Sequence, residues 1–466
     1  MSHGSPFHFR PDDGGYVGDC IPFYWAGVYH VFYLKRGFGG TPWAHIASRD
    51  LVNWAELPTA LPIGEAGEHD GGDCWTGSVI EHEGTFHIFY TGHNEALDRK
   101  QVIMHATSPD LISWEKDPAN PVLVIDNALY EGQDFRDPFV FWNDDEGCFW
   151  MTISARETGA PVPAAGCVGL ATSTDLMNWD LQPPLWAPRK IWCPECSDVF
   201  PATGRWFMLY STHVTAIATA PNPRGPWQAP PNEFLDCPRN YAIKRLFDGQ
   251  RHVAFGWVAS REGETDSGNW EWGGHMCIPR ELVCRPNGCV CVRPVEEVLH
   301  AFSRPVMDEA GLQEIERVTG AWRVDGDCVV GRKLDGRALG CLRVSDNYLF
   351  QACLSFDNPS ARAHIVLRMS DGYDAGYAVS LEPALHRTRI STWGPYGPGE
   401  PIFQAPLCVE QPPTSVRIFV QGNVLEVFVG DQVALVSRMY DRPSGTLGLV
   451  AENGSVTFEH VRITDR

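Results

Sequence analysis

Apolar and polar positions along the first two-thirds of the chain follow one recurring order. A short apolar or aromatic run is followed by a second run ending in Ala-Thr or Ala-Ser, then a polar turn, then a tryptophan. The copies are Tyr29–Leu34 (YHVFYL) with His45–Trp54 (HIASRDLVNW), Phe86–Thr91 (FHIFYT) with His105–Trp114 (HATSPDLISW), Phe149–Ser154 (FWMTIS) with Leu170–Trp179 (LATSTDLMNW), and Trp206–Ser211 (WFMLYS) with Ile217–Trp227 (IATAPNPRGPW). A weaker fifth begins at His252–Trp257 (HVAFGW). Successive copies lie roughly 45 to 65 residues apart, and each run is bounded by Gly, Pro, Asp or Asn, as short strands are. Self-similarity at such a period predicts a propeller with four strands per blade, and five copies predict five blades.

The repeat also places the propeller axis. Ten to twelve residues before four of the aromatic runs lies a further short run: Asp19–Tyr24 (DCIPFY), Trp75–Ile80 (WTGSVI), Asp137–Phe141 (DPFVF) and Glu195–Phe200 (ECSDVF). These read as the innermost strands, whose first residues face the central channel. After about Arg293 the pattern changes. Val295–Phe302 (VEEVLHAF) reads as a short helix or linker, and alternating strands such as Tyr348–Phe356, Ala363–Arg368, Ser415–Gln421, Val424–Val429 and Val456–Arg462 follow. Their regular turn spacing predicts a β-sandwich. The expected architecture is all-β: a five-bladed propeller over 1–294, a linker over 295–317, and a sandwich over 318–466.

Charge narrows the ligand. Of the 466 residues, 58 are acidic and 37 basic, a net charge of −21. That field repels nucleic acid and anionic membranes, so a neutral small ligand is expected and neither of those partners is. No apolar run reaches the roughly 18 residues of a membrane span, and the start shows no secretory pattern, so the expected compartment is the cytoplasm. The 15 cysteines are odd in number and irregularly spaced, which reads as reduced thiols. Cys193 and Cys196 have CxxC spacing, but no second such pair or His pair follows at zinc-like distance, so no metal or redox role is assigned.

Asp19, Asp137 and Glu195 are distant in sequence yet open equivalent inner strands, so closing the ring would gather them at the axis. Crowded carboxylates push one pKa up and leave another ionised, which gives one site both an acid and a base. Glycoside hydrolysis needs two such groups, a nucleophile or base and a proton donor. A third can hold ring hydroxyls, and Arg136 can tune or pair with its neighbours. Isolated acids at strand ends are more often caps or ion-pair partners; equivalence across the repeats favours chemistry here. Trp43, Trp75, Trp270 and Trp272 are candidates to stack on sugar, whereas Trp54, Trp114, Trp179 and Trp227 recur with the blades and read as packing. His45, His93, His105 and His275 lack ligand spacing and read as hydrogen-bonding partners.

These residues resemble the motifs of glycoside hydrolase family 32, the β-fructofuranosidases. Arg136-Asp137-Pro138 is similar to the family's Arg-Asp-Pro motif, Glu195-Cys196 to its Glu-Cys motif, and Asp19 to the aspartate of its first motif, Trp-Met-Asn-Asp-Pro-Asn-Gly. Trp43–Trp54, Trp75-Thr76-Gly77-Ser78, Pro279–Leu282 and Val416–Phe428 are similar to further family segments. The resemblance implies a propeller plus sandwich, Asp19 as nucleophile, Glu195 as acid/base and Asp137 as transition-state stabiliser, with no cofactor. It also implies a substrate-binding shell including Arg136, Trp43, Trp75, Thr76, His93, Tyr241 and Trp272. The implied reaction is retaining, exo-type release of a terminal fructofuranosyl or related furanosyl unit from a small oligosaccharide, with the two reacting carboxyls about 5–6 Å apart. A sugar-binding protein on a hydrolase fold and a transglycosylase are the alternatives. The chain departs from the family at Gly18 (family Asn), Cys20 (family Pro), Leu34 (family Gln) and Arg239-Asn240-Tyr241-Ala242 (family Asp-Phe-Tyr-Ala), which removes polar groups from the sugar-reading shell and adds a cation.

Overall fold

The computed structural model describes residues 7–37, 39–407 and 413–466. Five antiparallel blades follow one another around an axis. Blade I comprises Tyr16–Trp25, Val28–Arg36, Trp43–Ser48 and Ala55–Leu61, and blade II Asp73–His82, Thr85–His93, Gln101–Ser108 and Glu115–Lys116. Blade III comprises Tyr130–Asn143, Cys148–Glu157, Gly166–Ser173 and Asp180–Trp186. Blade IV has Glu195–Ala202, Arg205–Ser211 and Thr215–Ala220, with an isolated Thr219–Gln228 bridge where a fourth strand would lie. In blade V, Asn240–Phe247 and His252–Arg261 are followed by a third strand broken into Trp270–Met276 and Arg280–Cys284, then by Val290–Pro294. The ring closes where Gly274 of blade V pairs with Val17 of blade I.

The recurring turn explains the repeat. In Ser48-Arg49-Asp50, Ser108-Pro109-Asp110 and Ser173-Thr174-Asp175 the serine hydroxyl donates to the aspartate. The aspartate Oδ1 accepts from the backbone N–H groups two and three residues on, at 2.7–3.0 Å. The leucine between them is left-handed, with φ of 60° at Leu51, 66° at Leu111 and 64° at Leu176. All three leucines are buried. An L-residue there is disfavoured by about 1–2 kcal/mol, and the carboxylate's two N–H bonds hold the turn against that cost. The tryptophan that follows packs edge-on against the preceding blade: Trp114 on Phe32, Trp179 on Phe89, and Trp54 on Phe255 across the ring closure. Two histidine pairs are internal to the blades, His30 bonded to His45 and His87 to His105, each at 3.0 Å.

A helix, Glu296–Ala301, leaves blade V. The segment expected to be linker over 295–317 is more structured than that. Arg304–Met307 pairs with the last strand, Thr446–Asp465, and Glu316–Thr319 pairs with Cys328–Leu342, so both belong to the second domain's sheet. The alternation there is too short to show in the sequence. Two long strands, Cys328–Leu342 and Thr446–Asp465, bend across the sandwich. The last strand pairs with Arg362–Met369 through Glu452 and with Tyr348–Phe356 from Val456 onward, and so joins the two layers. Among the described residues no helix is long and apolar enough to cross a membrane.

Candidate active site

Every inner strand carries a register shift near the axis. The shifts lie between Val17 and Cys20, between Trp75 and Gly77, opposite Thr152 and Ser154 around Asp137-Pro138, between Glu195 and Asp198, and between Tyr241 and Lys244. A bulge bends its strand and re-aims the extra side chain. In blades III, IV and V the bulge contains a left-handed residue, Asp137 (φ 57°), Cys196 (φ 54°) and Ala242 (φ 50°). These bulges present Asp19, Thr76, Asp137, Glu195 and Tyr241 to one cavity of 560 Å³.

The three carboxylates sit in three environments. Asp19 is 9% exposed, and accepts from the Thr76 hydroxyl at 3.0 Å and the Trp257 indole N–H at 3.1 Å. Burial first, and then the charge of Asp137, pushes its pKa up to about 6. Asp137 is buried among donors: its Oδ2 accepts from the Ser154 hydroxyl and the Cys196 backbone N–H, each at 3.0 Å. Its own backbone N–H donates to Thr91 Oγ1 of blade II at 2.8 Å, so three blades hold the left-handed conformation. Glu195 is the more open group, with a side chain 26% exposed. Arg136 Nη2 donates to its Oε1 at 2.8 Å, and the Tyr241 hydroxyl bonds its Oε2. The same hydroxyl lies 3.0 Å from the Thr212 carbonyl. A phenol has one proton, so the Tyr241 hydroxyl donates to one of these two acceptors at a time.

Arg136 accounts for the crowded Asp134-Phe135-Arg136-Asp137 stretch. It bonds Asp134 and Glu195, and its Nε lies 3.8 Å from Asp137. Asp134 is held from the other side by Arg156 at 3.5 Å. The pair Cys193 and Cys196 are free thiols. Cys196 Sγ lies 3.8 Å from Asp19 and 3.7 Å from Asp137, and burial followed by those carboxylates holds its pKa well above the ordinary value, so it stays neutral.

Of the residues expected here, Asp19, Asp137, Glu195, Arg136, Trp75, Thr76, Tyr241 and Trp272 line the cavity. Trp43 and His93 do not. Trp43 is fully buried and donates its indole N–H to the Trp75 carbonyl at 3.0 Å. His93 stacks flat on Trp75 at 3.8 Å and bonds Asp73 at 3.0 Å. Both lie on strands behind the inner layer, where they support Trp75 instead of meeting substrate. Thr41, Asp73, Gln101 and Trp192 complete the wall and were not singled out from the sequence. Trp192 had a usable signal, an aromatic three residues before Glu195, and it is 48% exposed.

Gly18 has a steric reason. A Cβ there would lie 2.1 Å from Cη2 of Trp272, so the indole occupies the space a side chain would need. With Leu34 also on the cavity wall, the edge expected to carry two amides presents hydrocarbon instead.

Residues 8–294 match the family description "Glycosyl hydrolases family 32 N-terminal domain", and 346–465 match "Glycosyl hydrolases family 32 C terminal". Among curated relatives, "Beta-fructofuranosidase, insoluble isoenzyme 7" of Oryza sativa subsp. indica is 27% identical over 63% of this chain and 55% of its own length. "Beta-fructofuranosidase, insoluble isoenzyme CWINV6" of Arabidopsis thaliana is 26% identical over 94% of this chain and 89% of that protein. Among solved structures, exo-inulinase from Aspergillus awamori superposes with a TM-score of 0.75 at 20% identity, covering 100% of this chain and 98% of the other. Fructan 1-exohydrolase IIa from Cichorium intybus gives 0.73 at 19% identity, covering 98% and 96%. With both its domains matched, the chain belongs to glycoside hydrolase family 32.

Proposed function

We propose that the protein is a retaining exo-glycosidase that releases a terminal β-fructofuranosyl unit from a small oligosaccharide. The observation that carries this reading is the set of three carboxylates on equivalent bulges, each held differently. Asp19 is fixed by two donors and points at the anomeric position as nucleophile. Glu195, the more open group, protonates the departing oxygen and then deprotonates the attacking water. Asp137, locked by Ser154 and Cys196, receives hydroxyls of the ring as positive charge develops. In the first step the Asp19 oxygen bonds the anomeric carbon while the glycosidic bond breaks and the Glu195 proton passes to the leaving oxygen. In the second, water loses a proton to Glu195 and displaces Asp19. The curated relatives named as β-fructofuranosidases support fructose as the released sugar. Free thiols at the fourteen described cysteines support the cytoplasm as the compartment.

Turnover of sucrose, kestose, inulin, levan and a nitrophenyl β-fructofuranoside tests the reading. Asp19→Asn is expected to abolish turnover and covalent trapping. Glu195→Gln is expected to slow poor leaving groups by about 10²–10⁴-fold and the nitrophenyl substrate far less. In methanol, the first-formed methyl fructofuranoside should keep the β configuration. Near-full turnover by Asp19→Asn overturns the nucleophile assignment. Sugar binding by calorimetry with no cleavage of any substrate by the parent enzyme overturns the catalytic reading.

A further inference from the structure

Beneath the floor of the catalytic cavity the propeller axis holds a second layer of side chains. In blade V the register shifts between Tyr241 and Lys244, with left-handed Ala242 between them. Side chains alternate along a strand, so residues three apart ordinarily face opposite sides. The extra residue of the bulge turns both inward. Tyr241 lines the cavity, and Lys244 reaches the axis below it, where three blades meet at its ammonium. Lys244 Nζ donates to the Gly77 carbonyl of blade II at 2.6 Å, and it lies 5.9 Å from the centre of the Phe139 ring of blade III. Gly77 follows Thr76, and Phe139 is two residues beyond Asp137.

Among the described residues Lys244 is the one buried lysine, 2% exposed. Among the same residues no carboxylate lies within ion-pair distance of it, and its hydrogen bond goes to a neutral carbonyl. A charge withdrawn from water in that way is costly unless something offsets it. The titratable groups around it come from four blades: Asp19 from I, Asp137 from III, Glu195, Cys196 and Asp198 from IV, and Arg245 from V, while blade II presents the Gly77 carbonyl and the Thr76 hydroxyl. Two of the acids already have a cation. Asp198 pairs with Arg245 at 3.2 Å, and Glu195 pairs with Arg136 at 2.8 Å. Asp19 has only the neutral donors Thr76 and Trp257. Asp137 has Ser154 and the Cys196 N–H, with Arg136 Nε at 3.8 Å. The Asp19–Asp137 pair is thus short of positive charge, and Lys244 is a cation without an anion of its own. Cys196 joins the two layers. Its Sγ lies 3.8 Å from Asp19 and 3.7 Å from Asp137, and the Lys244 charge acts on the same thiol, opposing the rise caused by burial and those carboxylates.

We propose that Lys244 is a positioning residue of the catalytic site: its ammonium, fixed on the axis beneath the carboxylates, supplies the positive charge that lets Asp19 and Asp137 be ionised together. Both must be anionic for the reaction, Asp19 to attack and Asp137 to stabilise developing positive charge, yet each charge disfavours the other. The bond to the Gly77 carbonyl sets where the ammonium sits. It is made to the bulge that also carries Thr76, the donor to Asp19. The inference rests on the reading of Asp19 as nucleophile.

The test is the pH profile of kcat/KM for the nitrophenyl β-fructofuranoside in the parent, Lys244→Met and Lys244→Gln. Methionine matches the stem of lysine without the charge, so the fold is expected to tolerate it; glutamine also removes the charge but keeps a donor near the Gly77 carbonyl. In both variants the acid limb is expected to move upward by at least about half a unit, so that the loss of activity is greatest below about pH 6 and shrinks as the pH rises. A loss of equal size at every pH, with the limb in place, overturns the proposal and leaves Lys244 a structural support. A limb that moves in Lys244→Met but not in Lys244→Gln also overturns it, because the bond to Gly77 and not the charge is then what counts. A second readout needs no turnover and so separates this inference from the hydrolase reading. Burial and Asp137 raise the Asp19 pKa to about 6, so the gain in melting temperature from Asp19→Asn should grow with pH and level off near that value. In the Lys244→Met background it should level off at least about half a unit higher. The same levelling-off pH in both backgrounds overturns the proposal whether or not any fructoside is cleaved.

Discussion

Asp19 shows how a few donors set a working pH. Burial and the neighbouring Asp137 raise its pKa to about 6, while the bonds from Trp257 and Thr76 oppose the rise. Trp257→Phe removes one of these donors and is expected to move the acid limb of kcat/KM upward by about half a unit to one unit; a profile that stays put means the limb belongs to another group. The same shift costs stability. The folded-state value lies above the ordinary 3.8, so the folded protein holds this proton more tightly than the unfolded chain does. Ionised Asp19 therefore destabilises the fold above about pH 6, and that cost disappears below about pH 4. Asp19→Asn is expected to be inactive yet more stable than the parent at pH 7.5, by up to about 3 kcal/mol, with the gain gone near pH 4. Thermal unfolding at the two pH values reads this. The three acids and Arg136 were legible in the sequence because the repeat gives them equivalent addresses. Trp43 and His93 were misplaced because an aromatic residue looks alike on a wall and behind it. Thr41, Asp73 and Gln101 were invisible, since polar residues at strand ends carry no periodicity.

At the level of elements, bulge and turn divide the labour. The turns with Ser-x-Asp-Leu fix the outer ends of blades I, II and III, and the bulges aim the inner ends. Asp175 accepts two backbone N–H bonds beside left-handed Leu176. Hydrogen bonding by the Asn178 backbone, with smaller contributions from its side chain and Met177, holds the Asp175 carboxyl far below the usual range. Its stabilising effect is present above about pH 4 and is lost as the pH falls below that. Asp175→Ala is expected to cost about 1–2 kcal/mol at pH 7 with kcat/KM unchanged, and less at pH 3. A loss of activity in step with stability would instead tie the turn to the site. The strands, blade count and sandwich were legible because two-residue alternation and turn chemistry survive in a single sequence. The bulges were not, because the inner strands run through continuously buried stretches near the axis and so show no alternation for one extra residue to break. The two short strands within 304–319 were hidden for a similar reason: four residues are too few to show alternation.

Across the whole molecule, the sandwich holds the blade on which the site most depends. Blade V supplies Tyr241 to Glu195, Trp257 to Asp19 and Trp272 to Gly18. Arg438, from the sandwich, donates to the Val258 and Ala259 carbonyls at 2.7 and 3.0 Å, directly behind Trp257. Beside it, fully buried Arg280 of blade V pairs with Asp236 at 2.8 Å and with Glu426 of the sandwich at 2.6 Å, while His8 bonds the other oxygen of Glu426 at 2.8 Å. Such a group holds a geometry more than it adds stability, because desolvation offsets most of the attraction. Removing only the cation leaves two carboxylates buried without the guanidinium that offsets their charge, although Asn240, Ile278 and His8 still bond them. Arg280→Met is therefore expected to lose about 3–5 kcal/mol, and to lose kcat with it as Trp257 and Tyr241 shift. Adding Asp236→Asn and Glu426→Gln removes the stranded charges and should recover most of the stability, since neutral amides can keep the bonds to Asn240, Ile278 and His8. Denaturant unfolding of the three proteins, followed by tryptophan fluorescence, measures both steps. If Arg280→Met unfolds within 1 kcal/mol of the parent, or if the triple variant is no more stable than the single one, then charge pairing is not what seats the sandwich against blade V. The aromatic contacts of Phe302 with Phe7 and Phe419, at 4.8 and 5.3 Å, and the Arg438 bonds to blade V would then have to do so.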